Sequence, residues 1–244
     1  MSEGLRRVET VKTANGQHLI PKPPRPPRVT AAEVIYEKLR EEIVAMRLLP
    51  RTALQESQLT EKFGVSRTPV REALIRLVKE GLVDVFPQSG TFVAPVPLAE
   101  IPETLAIRKA LEQVTVEGAA RNMNAAGQVL LGDILKRQKS CADNGDYEAF
   151  HQSDEAFHEA IAAIAGYPGI WKLLKQTKAH MDRYRRLTLP EPGRMHRVIK
   201  EHRRILSALK KKLVKDARLA MSIHLDAILP RPEALRARYP DYFK

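Results

Sequence analysis

Asp154 and His158 stand four residues apart in a run, Phe150 to Ile164, whose spacing predicts a helix, so both side chains leave the same face. Two further imidazoles lie well downstream: His202 in Glu201-His202-Arg203-Arg204-Ile205-Leu206, and His224 in Met221-Ser222-Ile223-His224-Leu225. One carboxylate and three imidazoles suit a divalent transition metal such as zinc, nickel or manganese, with coordination positions left open for a ligand. Blander readings stand beside this one, because the chain has 7 histidines and such a number will often produce an i, i+4 pair. Asp154 with His158 could be a surface ion pair, and His202 and His224 could be interior histidines bonded to backbone or carboxylate. His151 and His196 lie near the candidate ligands and could replace one. Open positions at such a site also activate water, the chemistry of a hydrolytic metalloenzyme. That reaction needs a positioned general base, and no glutamate motif beside the histidines offers an obvious one.

A second set of residues suits recognition of a polyanion. Arg67 and Arg71 are four apart on a predicted helix, opposite an apolar stripe of Val70, Ala73, Leu74 and Leu77. An arginine there can bond guanine O6 and N7 together in a major groove. Ser66 and Thr68 sit at the start of that helix, where hydroxyls and free amides meet phosphate oxygens or simply cap the helix. The formal net charge of +12 favours nucleic acid first and an anionic membrane surface second. The excess is concentrated between Lys172 and Arg218, which also reads as a solvated helical surface, so charge alone does not locate the nucleic-acid contact.

The elements that position these groups follow from punctuation and periodicity. Residues 1–28 have no hydrophobic period and end in Pro21-Lys22-Pro23-Pro24-Arg25-Pro26-Pro27-Arg28, an extended or disordered basic arm, either a passive leader or a contact to phosphates. Structure is predicted from Thr30, an N-cap with Glu33 three residues on, through Val34, Ile35, Leu39, Ile43 and Val44 at helical spacing. A second helix is predicted over Glu56 to Phe63, a tight turn at Gly64-Val65-Ser66, and a third helix stopped by Gly81. Leu82–Phe86 and Thr91–Ala94 flank Pro87-Gln88-Ser89-Gly90 and read as a hairpin. Three helices and a hairpin make a winged helix-turn-helix, followed by a short stiff linker at Pro95-Val96-Pro97.

From Leu98 to about Leu229 the pattern is helical throughout, with breaks at Gly127, near Gly145, at Gly166–Gly169, at Pro190–Gly193 and near Lys212. Six helices in an all-α antiparallel bundle are expected, and the tail after Pro230 carries no assigned role. The fold class is thus mostly α, in three parts: an arm at 1–28, the winged helix-turn-helix at 29–95 and a helical domain at 98–230. A single cysteine, Cys141, excludes an intrachain disulfide and a multi-cysteine metal site. With no run of eighteen apolar residues and no secretory start, the expected address is the cytoplasm, with no membrane partner.

The segment Leu59-Thr60-Glu61-Lys62-Phe63-Gly64-Val65-Ser66-Arg67-Thr68-Pro69-Val70-Arg71-Glu72-Ala73-Leu74 resembles the helix-turn-helix of the GntR family of regulators. Arg76-Leu77, Gly81-Leu82-Val83 and Gly90-Thr91-Phe92-Val93 continue the match through the wing. The resemblance implies DNA contacts from Ser66, Arg67, Thr68 and Arg71, and an approach to the minor groove by Ser89 and Gly90. It is not complete. Ser57 replaces an arginine common in the second helix, and Met46 and Arg51 replace glycines usual around the Leu48-Leu49-Pro50 turn.

The helical domain looks like the FCD domain of the FadR subfamily. There an Asp-x-x-x-His pair and two later histidines hold a metal, positions that map onto Asp154, His158, His202 and His224. Ile107-Arg108-Lys109-Ala110-Leu111-Glu112 is similar to a helix whose arginine faces the effector carboxylate, which would make Arg108 effector-binding. The resemblance implies a homodimeric repressor on a near-palindromic double-stranded operator, modulated by a small carboxylate metabolite. A non-specific architectural DNA binder is the other alternative, and it would have no use for an Asp/His pocket.

Overall fold

The computed structural model describes residues 29–228 and 232–244. The basic arm predicted at 1–28, and the end of the helical domain predicted at 229–230, lie outside those residues.

Helix α1, Ala31–Val44, buries Ala32, Ile35, Tyr36, Leu39 and Ile43. Val34, expected on that stripe, is instead exposed and Tyr36 takes a place in the core. The Tyr36 hydroxyl donates to the Glu80 carboxylate and the Arg76 guanidinium covers the ring, so a partly polar residue is held there by its polar end. The chain then turns through Met46 at φ 59° and Arg51 at φ 67°, both in the left-handed region. The glycines that these residues replace would therefore have met a real backbone demand.

Helix α2, Glu56–Phe63, ends at Gly64 with φ 64°, and α3 runs Arg67–Lys79. Val70, Ala73, Leu74 and Leu77 all face the core as expected, at 0–5% exposure. Strands β1, Val83–Phe86, and β2, Gly90–Val93, pair antiparallel from Val83 opposite Val93 to Phe86 opposite Gly90, with Gln88 at φ 63° in the turn. The loop after α1 adds to the hairpin edge: Leu54 N–H donates to the Thr91 carbonyl at 2.8 Å and Val93 N–H to that of Thr52 at 2.9 Å.

The remainder is helical: α4 Ile101–Asn122, α5 Ala125–Asp143, α6 Tyr147–Ile164, α7 Pro168–Thr177, α8 Ala179–Thr188, α9 Arg194–Lys210, α10 Val214–Asp226 and α11 Pro232–Arg238. Three expectations need correction. Between Leu98 and Asp226 there are seven helices, since the segment after Tyr167 breaks at Lys178 without a glycine or proline. The break expected at Gly127 falls at Met123-Asn124. Asn124 is the N-cap of α5 and accepts a hydrogen bond from the Gly127 amide at 2.8 Å, so Gly127 lies in the first turn.

The tail is the third correction, for it closes onto the linker. Val96 N–H donates to the Tyr242 carbonyl at 2.7 Å, and Lys244 N–H to that of Val96 at 3.1 Å. Val96 and Phe243 are both buried. The proline linker is thereby held as one strand of a short parallel bridge. A second tie comes from α8. Ala179 packs into the apolar cluster of α1, α3 and the hairpin, and Arg183 donates to the Ala94 carbonyl at 2.7 Å.

Candidate metal centre and nucleic-acid interface

Three helices bring the four predicted metal ligands together. Asp154 and His158 share a face of α6, His202 comes from α9 and His224 from α10. All are between 0 and 1% exposed, and their ligand atoms lie within 4.8 Å of one another. His224 Nε2 is 3.3 Å from both His202 Nε2 and His158 Nε2. Asp154 Oδ1 is 3.7 Å from His202 Nε2, and its Oδ2 is 3.9 Å from His158 Nε2. The surface ion pair is excluded by this burial, and neither His151 nor the exposed His196 joins the four.

The outer ring nitrogens decide which atoms face inward. His158 Nδ1 meets Glu112 Oε2, His202 Nδ1 meets Gln138 Oε1 at 3.0 Å, and His224 Nδ1 meets Glu201 Oε2 at 2.8 Å. Each partner is an acceptor, so each Nδ1 carries the proton and each Nε2 presents a lone pair. Three lone pairs and a carboxylate then converge with no proton between them. Such a set is unfavourable empty in a buried site and fits a divalent cation, whose binding these outer hydrogen bonds orient.

Electrostatics favour the same protonation states. Burial first, and then the other imidazoles, hold His202 and His224 well below the ordinary histidine range. Burial opposes ionisation of Asp154, but the Arg185 guanidinium and the imidazoles outweigh it and hold the carboxyl well below its usual range. Arg185 Nη2 approaches Asp154 Oδ2 at 2.7 Å, in an alignment that is not a hydrogen bond. Glu112 is lowered in the same way, against its burial, by Arg108 and His158.

Arg108, expected to face an effector, is fully buried and donates through Nε to Glu112 Oε1, while its Nη2 has no partner. A relay Arg108–Glu112–His158 therefore links it to the ligand cluster. Trp171 stacks on His158 with centroids 5.9 Å apart and planes at 11°, and Phe157 stacks on His202 at 4.1 Å. Sequence reasoning missed Glu112, Gln138, Glu201 and Arg185. Only Glu112 left a trace, an acid four residues after Arg108 on a helix that buries both.

The recognition residues lie at the start of α3 and at the tip of the hairpin. Ser66 is the N-cap of α3, yet its side chain makes no cap hydrogen bond. Ser66, Arg67, Thr68, Arg71, Ser89 and Gly90 are all exposed. Arg71 Nε donates to both oxygens of Glu56, at 2.9 and 3.0 Å, a neighbour that the sequence reading did not assign to it. Ser57 is exposed on α2.

Residues 31–93 match "Bacterial regulatory proteins, gntR family" and residues 103–227 match "FCD domain". An uncharacterized HTH-type transcriptional regulator in an unstable DNA locus of Streptomyces ambofaciens is 38% identical over 209 residues, 86% of this chain and 88% of its own. The HTH-type transcriptional repressor RspR of Escherichia coli K12 is 30% identical over 209 residues, 86% of this chain and 92% of its own. Among solved structures, E. coli McbR/YncC is similar with a TM-score of 0.72 and 25% identity, over 87% of this chain and 100% of that one. Helix-turn-helix, hairpin and helical domain thus agree with these relatives along most of their length, and the chain belongs to the GntR family as a DNA-binding transcriptional regulator with an FCD domain.

Proposed function

We propose that this regulator is a homodimeric repressor that leaves a near-palindromic operator when a small carboxylate metabolite binds in its helical domain. In this reading residues 1–28 form an arm that contacts phosphates, 29–95 read DNA, 98–230 sense the effector, and the protein works in the cytoplasm. No helix of the described residues is long and apolar enough to cross a membrane. Arg67 and Arg71 bond base edges, Ser66 and Thr68 bond phosphates, and Ser89 and Gly90 approach the minor groove.

The observation that carries the sensing role is the inward convergence of Asp154, His158 Nε2, His202 Nε2 and His224 Nε2. These residues would hold a zinc, nickel or manganese ion, which when bound supplies positive charge and open positions for an anion. Glu112, Gln138 and Glu201 keep the three imidazoles in the required tautomer. Arg108 Nη2 and Trp171 Nε1 are buried donors near the cluster without partners, which suits an anionic ligand. On the paired helices α4 and α10, Ile107, Val114, Leu219 and Ile223 are exposed at helical spacing, an apolar face suited to a second copy.

The test is a promoter footprint with the metal-free and the metal-loaded protein, each with and without a panel of small carboxylic acids. Release of a protected near-palindrome by one acid, only when metal is present, is the expected outcome. Protection that no acid disturbs, with Trp171 fluorescence equally unmoved by metal and by acid, would overturn the sensing role.

A further inference from the structure

A second cluster of buried titratable groups lies outside the four-ligand site. His151 and Glu155 share a face of α6, Asp182 comes from the first turn of α8, and one ligand atom from each lies within 4.8 Å of the others. His151 is 4% exposed and Asp182 5%. Lys178, at the break between α7 and α8, donates to one oxygen of each acid: Glu155 Oε2, and Asp182 Oδ2 at 2.6 Å.

The opposite atoms are left over. Glu155 Oε1, Asp182 Oδ1 and His151 Nδ1 are buried and make no hydrogen bond. Arg185 Nη1 comes only within 3.9 Å of Glu155 Oε1, too far to satisfy it. Burial pushes His151 down to about 4, so its ring is neutral at neutral pH and keeps a lone pair. Buried polar atoms left without a partner are destabilising, and three in one place call for an explanation. All three residues line a cleft of about 460 Å³ whose other wall includes Glu37, Arg40 and Glu41 of α1. Water can enter a cleft of this size and polarity.

We propose that His151, Glu155 and Asp182 form a second divalent-cation site, set between the helical domain and α1, with waters from the cleft completing the coordination. Two carboxylates and one imidazole are a harder donor set than one carboxylate and three imidazoles, so the site suits manganese above zinc. Lys178 fixes one oxygen of each acid and turns the other toward the ion. Its charge also opposes the ion, which makes this the weaker of the two sites. The bound ion joins α6 to α8, the same helix that carries Ala179 and Arg183 into the DNA-binding region.

The inference does not depend on the sensing role proposed above, and the experiment keeps the two apart. The full chain, stripped with a chelator, is titrated with manganese while free ion is followed by paramagnetic resonance and stoichiometry by native mass spectrometry. Wild type should bind two ions per chain. Glu155→Gln, which keeps an oxygen for Lys178, and His151→Leu should each weaken one of them at least tenfold and spare the other. His202→Ala should lose the tighter ion and keep the weaker. A single manganese ion per chain that disappears in His202→Ala overturns the proposal, because the one ion then belongs to the four-ligand site. So does a second ion that persists undiminished in both Glu155→Gln and His151→Leu.

Discussion

At the start of α3, Ser66, Arg67, Thr68 and Arg71 stand in solvent on a helix whose opposite face is closed by Val70, Ala73, Leu74 and Leu77. In the helical domain Asp154, His158, His202 and His224 are at most 1% exposed, and each imidazole has its outer nitrogen already engaged. The first group needs only one amphipathic helix to be presented, and water satisfies its polar atoms until DNA arrives. The second needs α6, α9 and α10 packed in register, with α4 and α5 behind them to supply Glu112 and Gln138. A surface reader can therefore lose one residue and keep its fold, whereas the buried cluster binds its chemistry to the stability of the domain.

The sharpest break between the two regions should come from His202→Ala. Removing one imidazole should bring metal content at the four-ligand site to background in elemental analysis. It should also lower the melting temperature of metal-loaded protein by roughly 5–10 °C. An ion present at about a hundred times its dissociation constant contributes about 2.7 kcal/mol, and a domain of this size shifts a few degrees per kcal/mol. Operator binding below the new transition should persist. Unchanged metal content and melting temperature would separate the cluster from metal altogether.

Next in size is Arg67→Ala, which should cost about 1–3 kcal/mol in operator affinity and relax discrimination at one base pair of each half-site, with melting temperature unmoved. Gel shifts against single-base operator variants measure both. Arg71→Ala should cost less, since Arg71 must first leave Glu56. Equal affinity for all variants with and without Arg67 would remove that residue from base reading.

Much of the DNA-binding region was legible because its instructions are local. Gly64 and Gly81 both adopt positive φ where the helices were expected to stop, and the cluster Pro87–Gly90 sits between the two expected strands. The metal ligands were legible as residue types, since Asp154 and His158 share a helix turn. Their supports were not. Glu112, Gln138 and Glu201 lie between 23 and 64 positions from the histidines they orient, and no spacing rule reaches that far. The break at Lys178 was hidden for a related reason. A lysine between two helical runs carries no breaking signal, and its place is set by Glu155 and Asp182.

The smallest effect concerns the loop between α1 and α2. Met46 holds φ 59°. Met46→Gly should raise stability by about 0.5–1 kcal/mol in denaturant titration, because a side chain in the left-handed region is strained where glycine is not. DNA affinity should not change. A loss of stability would show that the methionine side chain contributes more than its backbone costs.

The bridge between Val96 and Phe243 has a consequence for the order of events during synthesis. The segment 31–93 can close most of its own core while the rest of the chain is still being made, lacking chiefly Ala179. Val96 cannot find its hydrogen-bond partners until Tyr242 and Lys244 have left the ribosome, nearly 150 residues later. A nascent chain would thus expose a folded DNA-binding head on an unfastened neck, and the neck would be fastened only after the helical domain had folded behind it.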